Sequence, residues 1–403
     1  MRPRQHRRLT ALWVTVALVG WTAGPSRAEE AASLDEWNAK AVALFEQGKY
    51  SEATAVAEQA LKMAEKTLGP EDPETVQPME RVAFLYKLQG KYADAESLYQ
   101  RALRVREKTA GPNDPLVAVA LNNLASAYDS QGKYADAEPL YKRALDIFES
   151  TLGPQDLDVG KCLTNLADLF RVQGRYTEAE PLLRRALDIL ETVEGPEHPD
   201  VAVSLSNLAL LENAQGRYAE AEPLYKKALA IREKSFGATH PETAASMVNL
   251  AEFYRSQTKY AEAERLLGQA LAIYEKSLGS THPSTGAVQL NLARLYDAEG
   301  RHPEAQLLYH GLLVTLEKNL GPAHPNVATL LYNLAESYRA QGKDAEAEPL
   351  YKRALGTFEK TLGPRHIGVA VILDGYAATL RKLGRNAEAR ALEARVKELR
   401  GND

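Results

Sequence analysis

Three side-chain series in this 403-residue chain recur often enough to suggest chemistry. Asn123, Asn165, Asn207, Asn249, Asn291 and Asn333 stand 42 residues apart, in six consecutive copies of one pattern. A carboxamide offers both a donor and an acceptor, so a row of them can hold the main chain of an extended peptide without reading its side chains. Six residues beyond this position comes a charge-rich one: Lys87, Asp129, Arg171, Asn213, Arg255, Asp297, Arg339 and Arg381. Arg171, Arg255, Arg339 and Arg381 could receive the carboxylates of a ligand. Asp168, Glu252 and Glu336 precede three of them by three residues, which is also the spacing of ion pairs within a helix, and both readings fit. The third series is His198, His240, His282, His324 and His366. A metal ion needs its ligands about 2 Å from a common centre, whereas neighbouring packed helices lie about 10 Å apart. These histidines, one per copy, are therefore not expected to close a zinc or iron site, and no second ligand cluster stands near His302 or His310.

Other chemistry leaves no trace. There is no G-x-S-x-G, no phosphate loop and no G-x-G-x-x-G following a strand. Carboxylates are abundant, but the A-E-A-E and A-E-P-L segments iterate them at the starts of helices, where they suit the helix dipole on a solvated face. Catalytic acid pairs would occupy unique places in a cleft, so neither an enzyme nor a cofactor is expected.

The elements that must position these residues follow from the same 42-residue step. Gly69, Gly111, Gly153, Gly195, Gly237, Gly279, Gly321 and Gly363 mark one joint; Gly48, Gly90, Gly132, Gly174, Gly216, Gly300, Gly342 and Gly384 mark another, with Thr258 the one substitution. A period this strict is the signature of a stacked array, here of nine units. Within one unit Leu121, Leu124, Ala125 and Tyr128 share a helical face, and Asp114-Pro115 provides an N-cap acceptor and a proline that gives up no hydrogen bond. Gln131-Gly132-Lys133 ends that helix, and Ala137, Leu140, Tyr141, Ala144, Leu145 and Phe148 pattern a second one up to Gly153. Each asparagine precedes the core leucine by one residue, about 100° around the first helix. A bland reading remains beside the groove reading: each amide could bond a neighbouring helix and only align repeats. The position breaks down at Arg81 and Gly375. Ser126, Asp168, Leu210, Glu252, Arg294 and Glu336, which vary from unit to unit on the same wall, are where ligand choice would lie.

Gly132, Tyr134, Ala137, Tyr141 and Ala144, with Leu124, Ala125 and Tyr128 before them, resemble the tetratricopeptide repeat. The 42-residue step and the joints Gly195-Pro196-Glu197-His198-Pro199 and Gly321-Pro322-Ala323-His324-Pro325 are similar to the longer repeats of kinesin light chains and their bacterial relatives. The resemblance covers about Ser33 to Arg400. It implies an all-α, right-handed superhelical solenoid of nine helical hairpins, whose concave wall, lined by the first helix of each pair, holds a peptide or protein segment.

Residues 1–28 have the make-up of an export signal. Arg2, Arg4, Arg7 and Arg8 lead an apolar run from Leu9 to Trp21, and Ser26-Arg27-Ala28 fits signal peptidase, so cleavage after Ala28 is expected; an uncleaved anchor is the alternative. Losing five arginines and no acids takes the formal charge from -5 to -10, an acidic surface with nothing to recruit nucleic acid or a membrane. Cys162 is the single cysteine, so no internal disulfide can form, and its place among small residues suggests a core thiol. A solenoid at 29–403 is expected, opening at Ser33 with Glu36 in a capping box and closed by the charged helix from Asn386 to Arg400, which argues for a monomer. Pro139, Pro181, Pro223 and Pro349 should bend their helices slightly. The function expected is that of a secreted or periplasmic, non-enzymatic adaptor gripping an extended segment; the alternative is a scaffold docking partners through its convex side or ends.

Overall fold

The computed structural model describes residues 25–401. The expected signal falls outside these residues up to position 24. From Pro25 onward the chain is helical.

Nine first helices alternate with nine second helices. The first helices are α1 (Pro25–Glu46), α3 (Val76–Leu88), α5 (Pro115–Ser130), α7 (Leu157–Val172), α9 (Pro199–Ala214), α11 (Pro241–Ser256), α13 (Pro283–Ala298), α15 (Pro325–Ala340) and α17 (Ile367–Lys382). The second helices are α2 (Tyr50–Thr67), α4 (Tyr92–Ala110), α6 (Tyr134–Leu152), α8 (Tyr176–Glu194), α10 (Tyr218–Phe236), α12 (Tyr260–Leu278), α14 (His302–Leu320), α16 (Asp344–Leu362) and α18 (Asn386–Arg400). The expected start at Ser33 is corrected: that residue lies inside α1, because Ala and Glu dominate the stretch after Pro25 and nothing there stops a helix.

Local chemistry explains each boundary. At the starts of the first helices Asp114 and Asp156 accept an amide hydrogen bond two residues on, at 2.8 Å each. The five histidines do the same work. Nδ1 of His198, His240, His282, His324 and His366 accepts from the amide of Asp200, Glu242, Ser284, Asn326 and Gly368, at 3.0 to 3.3 Å. The turn inside each hairpin needs a left-handed residue, supplied by glycine at φ between 70° and 79° and once by Thr258 at 57°.

Small alanines sit where the helices cross: Ala125, Ala137, Ala144 and their counterparts are fully buried, packed with Leu121, Leu163 and Tyr141 into one core that runs from repeat to repeat. Cys162 belongs to it, 1% exposed, and burial pushes its thiol up to about 12. The backbones of adjacent first helices come close, as α5 does to α7 and α7 to α9, while adjacent second helices stand farther apart and meet through long side chains, as Arg101 of α4 meets Glu65 of α2 at 2.5 Å and Arg143 of α6 meets Glu107 of α4 at 2.8 Å. The first helices therefore form the inner, shorter wall of a curved stack.

The curvature is tight enough to bring the chain back on itself. His282 lies against Glu46 and His324 against Leu88, each 236 residues apart, or between five and six repeats. The α14 helix meets α2, where the Ser51 hydroxyl donates to the Asn319 carbonyl at 3.3 Å.

Candidate functional site

In α7, α9, α11, α13 and α15 the strip of the first helix turned away from the core carries the asparagine, the residue four before it and the residues three and seven after it, whereas Asn123 of α5 is buried. In α9 these are Asn207, Val203, Leu210 and Ala214, and all but half-buried Asn207 are exposed. Their helical spacing places them on one face, and since the first helices form the inner wall, this face looks into the superhelix.

The six asparagines divide into two groups. Asn123 is buried and its amide donates to Glu80 at 3.5 Å, while Asn165 donates to the Asn122 side chain at 3.0 Å. These two bond the preceding first helix and align repeats, as the bland reading holds. Glu80 is itself buried, which raises its carboxyl to about 6 against the opposing pull of Arg106 and the Asn123 amide. Asn207, Asn249, Asn291 and Asn333 are different: among the described residues none of their amides has a hydrogen-bond partner, and none is buried. Asn207 shares a shallow depression with Thr164, Asp168, Arg171, Leu183 and Leu210. Apolar side chains surround it, with Val172, Val203 and Leu210 each between 38% and 46% exposed.

The four arginines are engaged inside the fold. Arg171 donates to Asp168 at 2.6 Å and Arg255 to Glu252 at 3.0 Å, Arg339 pairs with Glu336, and Arg381 reaches Glu393 of the last helix at 2.6 Å. The Glu336 carboxylate holds Arg339 protonated to higher pH than a free guanidinium, despite partial burial. Of the two readings of this series, intrahelical pairing describes three members and a cap contact the fourth. In α13 the order is reversed, with Arg294 ahead of Asp297. Asp297 accepts from Ser337 at 2.6 Å and lies 2.9 Å from His302, so exposed Arg294 has no ion pair among the described residues. Arg294, already placed by its spacing among the variable wall residues, is thus an inner-wall cation, and the inverted order is the signal in the sequence that it would lack an intrahelical partner.

The outer side is dense with contacts that join repeats. Before six of the second helices the basic residue pairs with a glutamate of the previous second helix: Lys133 with Glu96 at 2.8 Å, Arg175 with Glu138 at 2.6 Å, Arg217 with Glu180 at 2.5 Å, Lys259 with Glu222 at 3.3 Å, Arg301 with Glu264 at 3.2 Å, and Arg385 with Glu348. One glutamate of each A-E motif is thus not a solvated ornament but half of a joint. The same cations lie over an aromatic ring of their own repeat, as Arg175 does over Phe170 and Arg301 over Tyr296, both at 4.0 Å. In the fifth repeat Glu212 replaces that ring, is 1% exposed, and is held by Arg217 and by Arg184. Among the described residues no three His, Cys, Asp or Glu side chains gather as a metal site would require.

The sequence profile of the tetratricopeptide repeat matches the chain in overlapping segments between residues 30 and 401. No curated protein matches it significantly. Among solved structures it is similar to nearly identical TPR-like repeats assigned to a kinesin light chain of Podospora anserina, at 27% identity over 51% of this chain and 97% of that one, with a TM-score of 0.44. It is similar to BtubC of P. vanneervenii at 26% identity, over 57% of this chain and 92% of that one, with a TM-score of 0.48. A Rap protein complexed with Competence and Sporulation Factor matches 83% of this chain and 98% of its own at 17% identity, with a TM-score of 0.53, which is a likeness of fold. With eighteen described helices in repeated hairpins and a profile match over nearly their whole length, the chain belongs to the tetratricopeptide repeat family.

Proposed function

We propose that this protein is an exported, non-enzymatic adaptor that holds an extended peptide or partner segment against its inner wall and works as a monomer. The observation that supports this reading most directly is the row of four unpartnered amides, Asn207, Asn249, Asn291 and Asn333, on consecutive first helices. Open to solvent on this wall, these amides have no protein bond to give up, and a peptide main chain would replace their water with one donor and one acceptor each. Asn123 and Asn165 belong to the alignment of repeats and leave the ligand-holding set. Arg171, Arg255, Arg339 and Arg381 contribute charge to the wall only as halves of ion pairs. The outer side is a weaker candidate for docking, because its cations and glutamates already satisfy each other between repeats.

The test begins with the partner retained by the mature chain from its own cell envelope, identified and then titrated. Asn207→Ala, Asn249→Ala and Asn291→Ala together should weaken that titration at least tenfold, about 1.4 kcal/mol, with the melting curve unchanged. An unchanged affinity removes the groove reading. Export is tested separately by the mass of the mature N-terminus: a chain that keeps residues 1–28 contradicts cleavage after Ala28.

A further inference from the structure

Three joints of the last repeats sit on three hairpin turns of the first repeats. A Cβ built on Gly48 would lie 2.4 Å from Cδ of Pro283, on Gly90 2.7 Å from Cδ of Pro325, and on Gly132 2.9 Å from the ring of His366. The corresponding turn glycines Gly174, Gly216, Gly300 and Gly342 meet nothing within 4 Å. The contact is therefore specific to where one superhelical turn overlies the next. Its polar part is made by the cap histidines. Because Nδ1 of His282 and His324 accepts from its own helix, the proton must sit on Nε2, and Nε2 donates across the seam to the Glu46 carbonyl at 3.3 Å and the Leu88 carbonyl at 3.0 Å. One neutral ring thus caps the N-terminus of a late helix and the C-terminus of an early one. An aspartate, which caps the third and fourth repeats, could not donate to that carbonyl.

We propose that His282, His324 and His366 form an acid-released clasp that holds successive turns of the solenoid together and closes the side of the groove where they meet. A second proton would have to go on Nδ1, where it faces the amide of Ser284, Asn326 or Gly368 at the positive end of a helix. The ring must then swing away, and its cross-seam contact goes with it. Burial holds all three imidazoles below their ordinary 6.5, against the raising effect of the carbonyl bonds to His282 and His324. A group held lower in the closed form stabilises it above the ordinary value, and that stabilisation is lost as the pH falls through the closed-form value. The facing turns carry Glu46 and Lys49, Lys87 and Lys91, and Asp129 and Lys133; Lys276, Lys318 and Lys360 lie in the helices that lead into the joints, and Arg365 precedes His366. Two carboxyls, Asp129 and Glu80, are raised to about 6 and titrate in the same range, so the test must separate them from the histidines.

Asparagine also caps helices but neither titrates here nor reaches across as an imidazole does. Small-angle scattering of the full chain should show a radius of gyration that grows between pH 7.5 and pH 5, with a midpoint below about 6.5 and undiminished helical circular dichroism. The variant His282→Asn, His324→Asn and His366→Asn should be expanded at both pH values. The pair His198→Asn and His240→Asn, caps without a cross-seam partner, should behave as the unaltered chain. A radius that ignores pH, a triple variant still compact at pH 7.5, or one that still expands in acid through Asp129 and Glu80, each overturns the clasp.

Discussion

At the scale of single residues, departures from the repeat differ in whether another group takes over the lost interaction. Glu212 stands where other repeats carry an aromatic ring, and its burial is matched by two arginines. Thr258 has no such compensation. It adopts a left-handed backbone at φ 57°, in which every other hairpin turn has glycine, and a β-branched side chain is strained there. Thr258→Gly should therefore raise stability by about 1 kcal/mol, the cost of the left-handed region for an L-residue, read as a higher urea midpoint. A neutral or lower midpoint would show that the threonine is relieved by a contact not apparent in its geometry. The unpartnered amides and Arg294 are the opposite kind of departure, since they leave polar groups on the inner wall for something else to satisfy.

At the scale of elements, the joint between hairpins is built twice, from apolar faces inside and a charge ladder outside. Past the first joint, where Thr54 faces Lys91 in place of a glutamate, the ladder is broken at one more place: Gln306 stands where six other repeats have the pairing glutamate, and its amide turns instead to Ser337 at 3.4 Å. Lys343, its expected partner, keeps only its place over Tyr338. Gln306→Glu should complete the ladder and stabilise the seventh-to-eighth joint by about 0.5 kcal/mol, the scale of a partly exposed pair. Because that gain is electrostatic, it should shrink in high salt; a gain that survives molar salt would point to packing instead.

At the scale of the molecule, the returning turn makes a solenoid with a long-range contact, which a stack of nearest neighbours alone would lack. Two glycines isolate it. Gly90 and Gly174 share the same turn and nearly the same φ, 70° and 73°, but only Gly90 faces another turn. Gly90→Ala and Gly174→Ala should both lose the left-handed allowance, and the first should cost about 1–3 kcal/mol more, the usual penalty for overpacking. Equal unfolding midpoints for the two would mean that the turns do not press on each other in solution.

The period, the hairpins and the offset of the asparagines from the core leucines were legible in the sequence because helical spacing and joint residues are local, and a helix needs only its neighbours in the chain to know which face is apolar; that this offset face turns inward was implied by the family resemblance. Even the ion pairs of Arg171, Arg255 and Arg339 could be read from a three-residue interval. What spacing alone could not reveal was which amides remain without partners, since Asn123 and Asn165 are consumed by Glu80 and Asn122 of an adjacent helix whose side chains vary from repeat to repeat. Nor could it show that histidines 236 residues downstream of Glu46 and Leu88 would meet them. Small rotations between repeats add up over more than five units before the chain returns, and that sum is a property of the packed stack rather than of any one stretch of it.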